Sequence, residues 1–282
     1  MPHRQRTLII QVLVFLTLCM LLTSCSSMLY YPLRPHVYES EKILLKHEDI
    51  FFKNSDGVNL HGWYFFGKAP KIAATLIFFH GNGENLSTHF RTLSWLLEYE
   101  YDYFIFDYQG YGWSEGEPSP EGTVLDGKAA VKYVQEKFPG RPIIFFGQSL
   151  GGAVAMKVAE EVKDLKLVVV ESTFASYKKA ARSIMSQHPL TWVLKPLTYL
   201  VLSDAAAPGE KISEISPVPL VVIHGTADSM IKIELGKEVF DLAREPKEFW
   251  EVKGGRHTDA LWGHKGVYRE KFLARLRAVE NH

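Results

Sequence analysis

Cysteine is nearly absent from this sequence. Only two occur among 282 residues, Cys19 and Cys25, and both lie in the first 25 positions. The rest of the chain can form no disulfide, so its fold has to stand on an apolar core. Charge of one sign is also missing, because 32 basic residues balance 32 acidic ones. No basic surplus points to nucleic acid, and there is no acidic tail. Neither an internal repeat nor a low-complexity run is present. Paired-His and His-x-x-Asp spacings along the chain make no convincing metal cluster. Gly81-Asn82-Gly83 lacks the Gly-x-Gly-x-x-Gly spacing of a dinucleotide site. Neither a metal nor a cofactor is therefore expected.

The N-terminus reads as a targeting segment. Arg4 and Arg6 precede an apolar run from Leu8 to Leu22, interrupted only by Gln11 and Thr17. That run is shorter than the ~20 residues needed to cross a bilayer, but it suits the apolar region of a signal peptide. It ends in Leu22-Thr23-Ser24-Cys25, which resembles a bacterial lipobox. The resemblance implies that residues 1–24 are removed, that Cys25 is lipidated, and that the protein resides in the cell envelope. Ser26, rather than an aspartate, after the cysteine favours the outer membrane if the cell is Gram-negative. An uncleaved signal anchor is the alternative. Residues 25–46 then form a lipid-anchored tether, and 47–282 one α/β domain.

The remaining pattern alternates strands and helices. Asp49 to Lys53 and Leu60 to Phe66 flank Asn54-Ser55-Asp56-Gly57, a hairpin signal. Ala74–Phe79, Tyr101–Phe106, Pro142–Phe146, Leu165–Val170, Leu220–Ile223 and Glu248–Val252 read as buried strands. Helices are expected over Leu86–Glu98 (capped by Asn85), Val124–Phe138, Ala153–Val162, Ile233–Ala243 and Tyr268–Val279. This order predicts a mostly parallel sheet covered by helices on both faces. Residues 172–217 interrupt it and read as a small helical cap.

Gly147-Gln148-Ser149-Leu150-Gly151 falls between a strand and a helix, the setting of a nucleophile elbow. A serine hydroxyl is a weak nucleophile until a base takes its proton and an acid orients that base. Asp228, in His224-Gly225-Thr226-Ala227-Asp228, directly follows a strand; Asp204 and Asp241 are poorer rivals. His257, in Gly254-Gly255-Arg256-His257, lies between the last strand and the last helix, with His264 as runner-up. Backbone N–H groups of Leu150 and Asn82 are the expected oxyanion donors, Gly81 and Gly83 being neighbouring alternatives. His80 reads as a structural histidine beneath the loop.

These motifs, with Asp107-Tyr108-Gln109-Gly110-Tyr111-Gly112-Trp113-Ser114, resemble the α/β-hydrolase superfamily from about Phe51 to the C-terminus. Within it the chain is most similar to membrane-associated acyl-protein thioesterases and their bacterial relatives. That subgroup usually carries Arg where Gln109 stands and Gly where Arg256 stands. The resemblance implies an α/β-hydrolase fold and a serine hydrolase of acyl esters or thioesters. Ser149, Asp228 and His257 would be its catalytic residues. The expected partners are a small or lipid-like acyl substrate or an acylated protein, and a membrane reached through the lipid anchor. The chain is expected to act as a monomer. The rival readings are a serine peptidase, for which Glu210 and Glu214 could bind an amine, and a non-catalytic envelope binding protein.

Overall fold

A computed structural model describes residues 30–186, 195–262 and 265–280. The signal segment, Cys25, His264 and residues 187–194 of the cap region lie outside the described residues. Eight strands form the central sheet: β1 (His47–Lys53), β2 (Asn59–Phe65), β3 (Ala74–Phe79), β4 (Tyr101–Phe106), β5 (Ile143–Gln148), β6 (Leu165–Glu171), β7 (Leu220–Gly225) and β8 (Lys247–Val252). Their spatial order is β1-β2-β4-β3-β5-β6-β7-β8. β2 runs antiparallel to β1 and β4, and every other pairing is parallel. This is the α/β-hydrolase sheet expected from the sequence.

Side-chain alternation along the strands feeds two cores. Ile77, Phe79, Phe104, Phe106, Phe145, Val168 and Val170 face one way, with Val131 and Val134 of α1 (Pro120–Lys137) and most of α2 (Leu150–Ala159). Leu76, Phe78, Tyr103, Ile105, Ile144, Phe146 and Val169 face the other, with Phe272 and Leu276 of α5 (Lys265–Glu280). Both faces are covered, so the central strands are apolar throughout rather than alternating. α3 (Tyr177–Met185) lies in the cap, and α4 (Ile233–Leu242) follows β7. No helix among the described residues is long and apolar enough to cross a membrane.

Three elements differ from the sequence pattern. Leu86–Glu98 is not one helix. It is a turn of α-helix, Leu86–His89, followed by 3₁₀ segments Phe90–Thr92 and Ser94–Glu98. Asn85 does cap it, accepting from Ser87 N at 3.0 Å. However, Thr88 Oγ1, Ser94 Oγ and Trp95 Nε1 donate to backbone carbonyls three residues back, at 2.9–3.0 Å. Such side chains compete with a regular helical ladder. α1 starts earlier than apolar spacing suggested, because Ser119 caps it and Pro120 occupies its first position.

The third difference is the segment expected to be a tether, which from residue 30 onward is a strap seated on the domain. Tyr31–Pro32 pair in parallel with Gly83–Glu84. Asn85 Nδ2 donates to the carbonyls of Leu33 and Pro35, both at 2.8 Å. Val37 N donates to Ser87 Oγ at 2.8 Å.

Candidate active site

Strand order changes direction around β3, which lies between β4 and β5. Crevices that bind ligands in open α/β sheets lie beyond the carboxyl ends of strands at such a point. Phe79 pairs with Gly147, so the His80 loop and the Ser149 turn leave neighbouring strand ends. The register continues through Gln148–Glu171, Glu171–Ile223 and Gly225–Val252. The loops carrying Ser172, Asp228 and His257 therefore emerge along the same edge.

Ser149 sits between β5 and α2 with φ 54° and ψ −117°. For a residue with a Cβ this left-handed backbone costs on the order of 1–3 kcal/mol. The flanking glycines show what enforces it. A Cβ on Gly147 would come within 2.6 Å of the Gly151 carbonyl oxygen, and one on Gly151 within 2.0 Å of the Phe79 oxygen. The strand end is also tied down, since Ser149 N donates to Glu171 O at 2.9 Å and Thr173 Oγ1 donates to Ser149 O at 2.8 Å.

Asp228 and His257 meet in space, Nδ1 to Oδ2 at 2.8 Å. The other carboxyl oxygen accepts from the backbone N–H groups of Met230 and Ile231 at 3.0 and 2.9 Å. Burial pushes the Asp228 carboxyl up. Interactions with His224 and His257 and the Ile231 N–H outweigh that and hold it well below the usual carboxylate range. An ionised carboxylate only accepts, so Nδ1 of His257 carries the proton and Nε2 presents its lone pair. An imidazole oriented in this way can take a proton from a hydroxyl. Asp204 is engaged elsewhere, accepting from Ser176 Oγ at 2.8 Å at the start of α3.

A layer beneath these residues was not read from the sequence. Glu171 is buried, and its two oxygens accept from Gln148 Nε2 at 2.7 Å and from Ala260 N at 2.8 Å. It thus joins the residue before Ser149 to the loop after His257. Burial raises its carboxyl, opposed by these two hydrogen bonds. Ser172 Oγ accepts from Thr258 N at 3.1 Å. The acid and base loops also dock backbone to backbone, Ala227 N donating to Gly255 O at 2.8 Å. The one available signal was a glutamate closing the apolar run of β6, where solvent exposure is not expected.

The loop after β3 is built against the strap. Asn82 Oδ1 accepts from Tyr31 N at 3.1 Å and Tyr111 Oη at 2.8 Å. Tyr111 also donates to the Asn82 carbonyl at 2.9 Å. Asn82, Ser149 and Leu150 line one pocket. Gly81 is there too, for a Cβ on it would lie 3.8 Å from Ser149 Cβ. His80 is fully buried, its ring against Tyr108 and its Nδ1 2.7 Å from Gly81 O. Gln109, the departure from the subgroup's usual Arg, fills a tight space over α1, and a Cβ on Gly122 would collide with it. Arg256 is exposed.

The pocket at Ser149 is narrow, about 70 Å³, and its other described walls are Tyr30, Phe174, Tyr177, Ala180, Ala181, Ile184, Met230 and Ile231. A larger hollow of about 630 Å³ is lined by Lys71, Glu100 and Arg141. It lies before β3, β4 and β5, at the wrong end of the sheet for this chemistry. Glu210 and Glu214 stand on the 3₁₀ helix Gly209–Ile215 and are not among the pocket's described walls.

Sheet order, strained serine and histidine–carboxylate pair together define an α/β hydrolase. Residues 70–204 match the Hydrolase_4 family, described as serine aminopeptidase, S33. The chain is 34% identical over 244 residues to uncharacterized protein YfhR of Salmonella typhi, covering 80% of each. It belongs to the family of that YfhR protein. It is also 26% identical over 224 residues to the lysophosphatidylserine lipase ABHD12 of Danio rerio, covering 73% of this chain and 56% of the relative. Among solved structures, the Pyrococcus furiosus esterase Pf2001 superposes with a TM-score of 0.69 at 22% identity, covering 89% of this chain and 97% of that one.

Proposed function

We propose that this hydrolase cleaves acyl esters or thioesters through an acyl-enzyme formed on Ser149. His257 takes the serine proton as Oγ attacks the acyl carbonyl, then returns it to the leaving alcohol or thiol. Water deacylates the serine by the reverse sequence. Asp228 holds the His257 tautomer, and the N–H groups of Leu150 and Asn82 receive the oxyanion. The observation that carries this reading is the 2.8 Å His257–Asp228 contact at the same edge of the sheet as a serine held at φ 54°.

The pocket favours an acyl chain. Its walls are apolar, and two of them, Ile184 and Met230, are also substantially exposed, forming a greasy lip. Lys179 and Arg182 of α3 line a neighbouring hollow with Lys195, Lys232 and Glu234, a net cationic lining although Lys179 is paired with Glu238 at 2.6 Å. An acyl chain bearing an anionic head matches that division, and one relative is named as a lysophospholipid lipase. The strap adds a membrane argument that rests on lipidation of Cys25. Pocket-lining Tyr30 lies five positions after Cys25, at most about 18 Å of extended chain. An anchor there would hold the pocket next to the bilayer of the cell envelope.

The test uses the full-length protein with p-nitrophenyl esters and acyl thioesters of graded chain length, and with neutral and anionic lysolipids. Ser149→Ala should cost about 10⁴-fold or more in kcat and abolish labelling by a fluorophosphonate. Activity surviving that change would overturn the assignment. Turnover of aminoacyl-naphthylamides alone would instead favour a peptidase. Cys25→Ala should end metabolic labelling with palmitate, and persistent labelling would reject the anchor.

A further inference from the structure

A cluster of buried polar atoms lies outside this site. His36 comes from the strap, His61 from β2 and Asp107 from the loop after β4. One potential ligand atom from each lies within 4.8 Å of those of the other two. The His36 side chain is 3% exposed and that of Asp107 0%; His61 is fully buried. Both nitrogens of His36, Nδ1 of His61 and Oδ2 of Asp107 have no hydrogen-bond partner. Buried polar groups are almost always satisfied, so four orphans in one place call for an explanation.

The chemistry of the orphans is specific. His61 Nε2 faces Asp49 Oδ1 at 2.9 Å. Nε2 therefore carries the proton and Nδ1 offers a lone pair. Asp107 Oδ1 accepts from Leu86 N at 2.7 Å, while Oδ2 makes no hydrogen bond and stands 3.5 Å from His36 Nε2. His61 Nδ1 and Asp107 Oδ2 thus look across a shared space at the His36 imidazole.

We propose that His36, His61 and Asp107 form a structural site for a borderline transition metal, zinc being the best match, which staples the N-terminal strap to the hydrolase domain. Two imidazoles and a carboxylate, with a water as fourth ligand, are a zinc donor set. Tetrahedral ligation at about 2.0–2.2 Å sets ligand atoms roughly 3.3–3.6 Å apart. His36 Nε2 and Asp107 Oδ2 already stand at 3.5 Å.

The surroundings are those of a built site. Asp49 behind His61 makes the carboxylate–histidine–metal relay that orients a ligand. Asp49 is itself held by Trp63 Nε1 at 2.7 Å and Ser40 Oγ at 2.6 Å. The His36 ring stacks on Trp113 with centroids 4.4 Å apart. Gly112 keeps the space open, because a Cβ there would lie 1.9 Å from Asp107 Oδ2 and 3.0 Å from His36 Nε2. Spacing along the chain hides the site, since its ligands are drawn from three distant segments.

The test is metal content of the full-length protein, purified in detergent without a metal-affinity step. Elemental analysis should find about one zinc per chain after supply with Zn²⁺. Co²⁺ should give the visible bands of a tetrahedral nitrogen–oxygen site. Saturating zinc should raise Tm by roughly 5 °C or more. His36→Gln, which removes only a strap ligand, should abolish all three effects, and Asp49→Asn should weaken zinc binding about 10–100-fold. The wild-type cobalt spectrum tests the site even if a variant fails to fold. Absence of stoichiometric zinc or cobalt in the wild type would overturn the proposal, as would binding unchanged by His36→Gln. A buried water, or a proton on His36, would then occupy the space.

Discussion

Replacing Gly151 with alanine tests whether the serine turn and the loop after β3 fit together as tightly as they appear to. The new methyl would sit 2.0 Å from the Phe79 oxygen and 2.4 Å from the His80 oxygen. Both are backbone atoms, so no side chain can swing aside. Restoring van der Waals contact requires α2 and the loop to part by more than about 1 Å. Overpacking of this kind costs about 3 kcal/mol, and for a domain of this size each kcal/mol lowers Tm by about 2–4 °C. A fall of roughly 6–12 °C is therefore expected. The same displacement separates Ser149 from the Asn82 N–H, and a 1 Å error in a catalytic constellation costs about 10²-fold. Ester-hydrolysis kinetics and calorimetry should register both losses. Gly83→Ala is the control, for a Cβ there has nothing within 4 Å. If Gly151→Ala keeps Tm within 2 °C (about 1 kcal/mol or less) and kcat/KM within twofold, the close approach is wrong.

Three further outcomes follow from the same geometry. Asp228→Asn replaces an acceptor by a group that can donate to Nδ1, moving the His257 proton to Nε2; kcat should fall by about 10⁴-fold. Because the folded-state carboxyl of Asp228 is lowered, its stabilisation is present above about pH 4 and lost as pH falls further, so acid unfolding of this variant should be less steep. Glu171→Gln removes one acceptor from a buried bridge and should cost about 1.5–3 kcal/mol. It should also lower kcat more than it raises KM, and unchanged kinetics would deny it a positioning role. Asp126 is pushed up to about 7, mainly by burial, against hydrogen bonds from Gln109 N and Asn54. Its contribution to stability is full below about pH 4 and lost as pH rises through 7. Asp126→Asn should thus be more damaging at pH 5 than at pH 8 by urea denaturation, and equal damage at both would refute the raised value.

Much of the fold was legible because its signals are local. β3 and β4 were bounded to the residue, since a strand buried on both faces is an unbroken apolar run between turn residues. The places of Ser149, Asp228 and His257 after β5, β7 and β8 were legible, and the structure brings Asp228 and His257 into contact. What escaped depends on contacts between distant segments. Glu171 looks like the last residue of a strand until Gln148 and Ala260 are seen to share it. Leu86–Glu98 has the apolar content of a helix, and only its serine, threonine and tryptophan side-chain bonds break it up. The strap was opaque because residues 30–46 carry little periodicity. Their seat depends on partners 50 or more residues away, such as Asn85 for Leu33 and Pro35.

That seat has a practical consequence for preparing the enzyme. A soluble form begun at His47, where the sequence pattern suggests the domain starts, would delete the strand-like pairing at Gly83–Glu84. It would also delete the N–H that holds the Asn82 side chain and one wall of the pocket at Ser149, Tyr30. A truncation that keeps these contacts has to begin before Tyr30. The segment that would connect the enzyme to its membrane is also part of the machinery it carries there.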